Sequence, residues 1–464
     1  MIRSRGLCLL LALTTAGCAA GPNYRLPAAA DLGVPASYRA GAGVPLTDSD
    51  LAGWWGRFGD PQLDALVERA IAANLDLRQA EARLRQAREA SVQAGASLLP
   101  SASVGGGGGR NFSSAVADSS RFSTSLDASW QIDLFGGLRR GAEAARADEA
   151  ASGYSLAAVR TTVIASVVSN YLQLRLAQEQ LRIAQLSLTN QRDNRAIAGW
   201  RVQAGLASSL DEEQARAQLA QTEASIPTIE ARVQNALNQI AVLTGAAPGA
   251  ATSTLEAPMP LPAPPSTLVA GIPADTLRQR PDVRAAERGL AAATARVGVA
   301  QAALLPSLSL TGSVGTSALT TGGLFDVITG SLFAGIDQLL FDGGARASQV
   351  RARQAAVDGA FAAYKATVLQ ALQDVENALV AAATANGREQ QLQVAAEAAD
   401  NSAILARLQY QSGVTDFQTL LLAEQSLLSA NNALAAGEAD RALAVVQLYN
   451  ALGGGWQNMD GTEG

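Results

Sequence analysis

Between Arg121 and Phe135 the chain reads RFSTSLDASWQIDLF, where Phe122, Thr124, Leu126, Ala128, Trp130, Ile132 and Leu134 alternate with Ser123, Ser125, Asp127, Ser129, Gln131 and Asp133. A period of two predicts a strand with one apolar and one polar face. Beyond it the period lengthens. Leu156, Val159, Val163, Val167, Leu174, Ala177, Leu181, Ala184 and Leu188 fall at spacings of three and four, with Asn170 the one polar member. That pattern predicts a very long helix with coiled-coil packing.

The whole order recurs. LLPSASV at 98–104 returns as LLPSLSL at 304–310, LFGGLRR at 134–140 as LFDGGAR at 340–346, and VQAG at 202–205 as YQSG at 410–413. The offset drifts from 206 to 208 through two single-residue slips, so one duplication explains all the pairs. Each unit reads as helix, proline stop, strand pair, Gly-Gly turn, very long helix, glycine turn and second helix. The first unit spans 54–245, with its first helix from Pro61 to Leu99, a hairpin at 101–135, the long helix at 138–203 and a helix at 208–244. A Pro-rich linker, 246–271, leads to the second unit, 272–453, with a helix at 273–305, a hairpin at 307–341, the long helix at 344–411 and a helix at 415–452. Residues 454–464 form a tail.

The partner strand in unit two puts Leu308, Leu310 and Val314 opposite Ser307, Ser309, Thr311 and Ser313. The strand expected over Ser331–Phe341 is less clean, since Phe333 and Leu339 fall on its polar side, and the run Gly105–Gly109 makes the first strand the weakest. Such alternation ordinarily means half-buried strands of a soluble sheet. Two features favour a membrane face instead: six of the nine Phe residues lie in the two strand regions, and the flanking helices offer no layer to cover a sheet.

Four strands cannot close a membrane barrel, which needs about eight or more, and an unpaired edge cannot face lipid. Three copies supply about twelve strands, the smallest cyclic assembly with room for a pore. The long helix rises roughly 100 Å, and the two shorter helices of a unit, stacked end to end, match it. The fold class is therefore α+β membrane protein: a trimeric 12-stranded barrel, four strands per chain, continued by a helical coiled-coil barrel. Gly205 and Gly413 turn the chain at its far tip.

The N-terminus, MIRSRGLCLLLALTTAGC, has Arg3 and Arg5 ahead of an apolar run too short to span a bilayer, which predicts a signal peptide over 1–17. Thr15-Ala16-Gly17-Cys18 resembles a bacterial lipobox, although Thr15 stands where Leu is usual. Cys18 is then the lipid attachment site and first mature residue, opening an extended lipid-anchored segment over 18–53. No Asp follows it, which points to the outer membrane. Cys8 leaves with the signal, so no disulfide is expected. Removing Arg3 and Arg5 takes the 35 basic residues to 33 against 41 acidic ones, a net of −8 that disfavours a nucleic-acid partner. With no histidine anywhere, metal sites and His-based triads start far behind. The nearest carboxylate pair, Glu212-Glu213, does not share a helix face, so no catalytic residue, metal or cofactor is expected beyond the lipid on Cys18.

CAAGPNYRLP after the lipobox, WWGRFGDPQLDALVERAIAANLDLRQAEARL from Trp54, the paired LLPS and Gly-Gly turns, and above all IPADTLRQRPDVRAAERGLAAA at 272–293 closely resemble the TolC-like outer membrane factors, in their lipoprotein branch. The resemblance implies a trimeric tunnel across outer membrane and periplasm, docked to a periplasmic adaptor and an inner-membrane pump of the resistance-nodulation-division type. It implies a passive conduit for drugs or toxic metabolites, gated at the tip turns. The family's Asp on the inner face and the Leu one turn before it are here Leu422 and Gln418, and its Arg before the second glycine is Gln409. Asp211 and Asp416 are the remaining ring candidates, with an N-cap the alternative for Asp416. The tip glycines and nearby polar residues are equally candidates for adaptor contact. Rival readings are an exit duct for type I protein secretion, and a soluble periplasmic coiled-coil scaffold.

Overall fold

The structure is a computed structural model, and it describes residues 19–38, 48–112, 114–115, 118–250, 255–265 and 277–457. Cys18 and the signal peptide lie outside the described residues. In chain order the main elements are α1 (Pro61–Ala73), α2 (Leu75–Ala96), β1 (Ser101–Asn111), β2 (Ser119–Ile132), α3 (Gly137–Gln203) and α4 (Ser209–Leu243). The second unit supplies α5 (Pro281–Ala302), β3 (Ser307–Ala318), β4 (Ile328–Asp337), α6 (Ala345–Gln411) and α7 (Phe417–Ala451).

Several boundaries differ from the sequence reading. The helix expected over 61–99 is two helices, because Asn74 leaves the helical region (φ −62°, ψ 134°). Its side chain caps α2 by accepting from the amides of Asp76 (2.9 Å) and Leu77 (3.1 Å), while its Nδ2 donates to the carbonyl of Leu243 at the end of α4 (2.9 Å). Helix α5 starts at Pro281, where proline suits a first helical position, rather than near residue 273. Strand β4 runs from Ile328 to Asp337 and stops before Phe341. The segment expected to be extended after Cys18 contains two short helical turns, Ala29–Leu32 and Asp48–Ala52.

Contacts within the chain divide it into two units. One comprises described residues of 19–28, 82–154 and 284–367 and holds the antiparallel sheet β1-β2-β3-β4. Its register brings every apolar position onto one face: Trp130 opposes Leu310, Leu126 opposes Val314 and Val104, and Leu308 opposes both Ile132 and Ile336. Ser103, Asp127, Ser313 and Ser331 line up across the other. Phe333, opposite Thr311, is on the polar face. The glycine-rich β1 pairs with β2 along its full length.

The other unit comprises described residues of 29–81, 155–283 and 368–457 and holds the densest core. Trp54 stacks on Tyr449 at 5.1 Å beside Phe58. The seam of α3 widens here, because Ile164, Val168, Tyr171 and Leu172 are fully buried together with Val167 and Leu174. Arg175, also fully buried, donates to Tyr171 (3.1 Å), Gln178 (2.6 Å), the Ala257 carbonyl (3.0 Å) and the Gln62 side chain, tying part of the linker to α1 and α3. Burial and a hydrogen bond to Asp60 push the Tyr171 phenol up to about 12.

Candidate functional site: a bare sheet face and two tip turns

A half-buried soluble sheet hides its apolar face, and this one does not. Val104 is 79% exposed, Leu332 78%, Ile336 75%, Val314 53% and Leu126 52%. A contiguous bare apolar surface of that kind needs a non-aqueous neighbour. The polar face is equally uncovered and is laced by hydroxyls, with Ser313 and Ser331 at 2.7 Å and Ser101 and Ser129 at 2.9 Å. Trp130 turns its indole N–H back to the Leu98 carbonyl (2.9 Å).

The two glycine turns share one backbone design. Gly205 (φ 69°) and Gly413 (φ 77°) occupy the left-handed region that glycine enters without strain. Leu206 N–H then donates to Arg201 O, and Val414 N–H to Gln409 O, both at 2.8 Å, closing the last helical turn. The following helices start on equivalent caps. Ser208 accepts from the Leu210 amide (3.1 Å), and Asp416 from the amide and hydroxyl of Thr419 (2.8 and 2.7 Å). These bonds hold the Asp416 carboxyl below the usual range, the Thr419 hydroxyl contributing most.

Asp416 is thus the N-cap of α7, while Asp211 stands in the first turn of α4 behind Ser208. Gln418 and Leu422 lie one turn apart on α7, exposed on the side away from the core residues Phe417 and Leu420. Spacing from the glycine did not single out the group that joins the two turns. Arg201 donates to the Tyr410 carbonyl (2.6 Å), and its guanidinium lies 4.7 Å from the Tyr410 ring. Tyr410, 2% exposed, meets Phe417 edge-on at 5.5 Å within a core that includes Ala198, Ala215, Ala406 and Leu420. Burial raises the Tyr410 phenol, the Arg201 charge works against that, and Asp211 works with it. Gln425 donates to Gln218 (2.8 Å), and Arg407 reaches the buried Glu424 (2.5 Å). Two of these contacts bridge the repeats, Arg201 to Tyr410 and Gln218 to Gln425.

The RPDV stretch closes the second unit instead of forming part of the tip. Arg280 donates to the Ala451 carbonyl at the end of α7 (2.8 Å) and pairs with Asp282 and Asp374. Burial opposes its charge, but those two carboxylates more than offset it and raise the pKa. Among the described residues no cluster of His, Cys, Asp and Glu is placed to hold a metal ion.

A sequence model of the family described as outer membrane efflux protein matches residues 66–246 and, a second time, residues 272–454. The chain is 33% identical to the pyoverdine export outer membrane protein OpmQ of Pseudomonas putida, over 98% of this chain and 99% of that one. It is 30% identical to the cation efflux system protein CusC of Escherichia coli, over 97% of this chain and 98% of that one. The solved structure of the outer-membrane channel OprN superposes with a TM-score of 0.86 at 37% identity, covering 95% of this chain and 100% of that chain.

Proposed function

The chain belongs to the outer membrane efflux protein family, and from that premise we infer that it is the outer-membrane channel of a tripartite efflux system, a passive conduit for small molecules. The observation that carries this reading is the sheet. It bares an apolar face on one side and hydroxyls on the other, and it ends in two unpaired edges, β1 and β4. Lipid satisfies the first face, a water-filled lumen the second, and neighbouring copies the edges. Three copies give twelve strands from the four in each chain, enough to enclose a pore.

The remainder of the reading follows from the tip and the N-terminus. Energy comes from an inner-membrane pump of the resistance-nodulation-division type, joined through a periplasmic adaptor. Leu206 and Val414, 70% and 75% exposed just past the two tip glycines, offer that adaptor equivalent apolar contacts. Gln418 and Leu422 are exposed toward the space the assembled tips enclose, and the Arg201–Tyr410 contact restrains the two turns. Cys18 carries lipid and anchors the chain in the outer membrane. OpmQ is named for pyoverdine and CusC for cations, so chains of this kind serve unlike cargo, and cargo choice here is assigned to the pump.

Planar-bilayer recording of the detergent-extracted oligomer tests the channel, with stepwise ion conductance expected. Deleting this gene and its neighbouring pump gene separately tests the pathway, and both deletions should sensitise cells to the same compounds. Extraction without detergent and silent bilayers would support the soluble scaffold instead.

A further inference from the structure

The residues that follow Cys18 are held with more bonds than an anchor's tether requires. Ala20 N–H donates to the Phe135 carbonyl just past β2 (2.8 Å). Arg140, in the first turn of α3, reaches the strap three times: Nε to the Ala20 carbonyl (3.2 Å), Nη2 to the Gly21 carbonyl (3.4 Å) and to Asn23 Oδ1 (2.6 Å). Its remaining nitrogen pairs with Glu143 (2.7 Å), and its side chain is only 7% exposed. Further along, Tyr24 donates to Glu287 of α5 (3.0 Å) and lies under the guanidinium of Arg288.

The seat is also shaped by glycines. Gly21 takes φ 93°, and a side chain there would collide with the backbone of Gly298 in α5. A methyl group at Gly298 would stand 2.7 Å from the Ala20 carbonyl and 2.8 Å from Arg140 Cγ. One at Gly136 would press on Ala19 at 3.1 Å. Neither mid-helix Gly298 nor a buried arginine spent on backbone carbonyls favours its own element. Both make sense as the two walls of a slot for residues 19–24.

We propose that this slot is a built seat for the acylated N-terminus, in which Arg140 and Gly298 fix the lipid at the rim of the apolar sheet face so that acylation acts on strand assembly. The proposal rests on the lipidation of Cys18 inferred above. Its physical core is the missing tether. Ala19 adjoins Cys18, and consecutive α-carbons are about 3.8 Å apart, so the acyl group has almost no freedom relative to the seat. A flexible linker of six residues would instead let it wander over roughly 13 Å. The seat is also at a telling depth. Ile132, Leu308 and Ile336 form the last apolar row on the helix side, and Phe135 follows Ile132 by three residues, about 10 Å of extended chain. Acyl chains starting there enter the same leaflet that the strands enter. Arg140 is a positioning residue in this scheme.

The test compares wild type with Arg140→Ala, Gly298→Ala, a six-residue insertion directly after Cys18 that repeats Ala-Gly-Ser, and Cys18→Ala exported behind a general secretory leader. Metabolic labelling with an alkyne palmitate reads acylation, and heat-resistant oligomer in detergent reads assembly. Arg140→Ala, Gly298→Ala and the insertion should each keep the label yet lower assembled oligomer about tenfold, the scale of losing one charge-assisted hydrogen bond. Gly298→Ala raises helix propensity, so its loss cannot come from unfolding α5. Cys18→Ala should show the same loss, and adding Arg140→Ala to it should cost nothing more. An equal further loss in that double variant would make Arg140 an ordinary fold-stabilising residue and overturn the seat, as would an insertion without effect. Absence of label on wild type would sink the lipidation itself, and the seat with it.

Discussion

Arg201 spends its guanidinium on a backbone carbonyl and an aromatic face of the other repeat, and both partners belong to Tyr410. A charged donor to a carbonyl and a cation–π contact together are worth about 2 kcal/mol, or about thirtyfold in a two-state population. If the contact is made only while the two turns stay together, Arg201→Ala should raise the open fraction of single channels in a bilayer by roughly that factor. Unchanged gating would show that the pair only packs the tip. Neither residue stands out in the sequence, because Arg201 and Tyr410 are 209 positions apart and nothing local couples them. The residues that spacing did single out, Asp211, Asp416, Gln418 and Leu422, are those a reader can index from a glycine. What the sequence withheld was contact between repeats.

At the scale of elements, Asp416 separates a structural from a gating role. It caps α7 through two bonds with Thr419, just as Ser208 caps α4. Asparagine caps a helix as well as aspartate does but carries no charge, whereas alanine forfeits about 1 kcal/mol. Asp416→Asn should therefore leave both thermal stability and ion selectivity unchanged, and Asp416→Ala should lower stability alone. A selectivity change in Asp416→Asn, read from reversal potentials across a salt gradient, would restore the charged ring. Elements were legible to unequal degrees for physical reasons. The alternation in β2 announces its faces because lipid and water demand opposite chemistry on successive residues. The break at Asn74 was hidden because the apolar spacing runs on through it, and the reason for the break is the distant Leu243 carbonyl that Asn74 also serves. The last strand blurred because Phe333 sits on the polar face.

For the whole molecule the decisive question is which solvent each face of the sheet meets, and one substitution on each face answers it. Leu332, 78% exposed, stands on the apolar face opposite Gly312, and Ser313, opposite Ser331, stands one position along on the polar face. Arginine at a lipid-facing strand position costs about 2–4 kcal/mol near mid-membrane, and arginine on a lumen wall costs far less while placing fixed charge beside the ion path. Leu332→Arg should thus sharply reduce heat-resistant oligomer in outer-membrane fractions. Ser313→Arg should leave oligomer yield near wild type and shift bilayer reversal potentials toward anions. Both variants add the same side chain to neighbouring positions of one sheet, so a general intolerance of charge would reduce both yields alike. Equal, mild effects at both positions would mean that water bathes both faces, and the barrel would fall together with the pore it encloses.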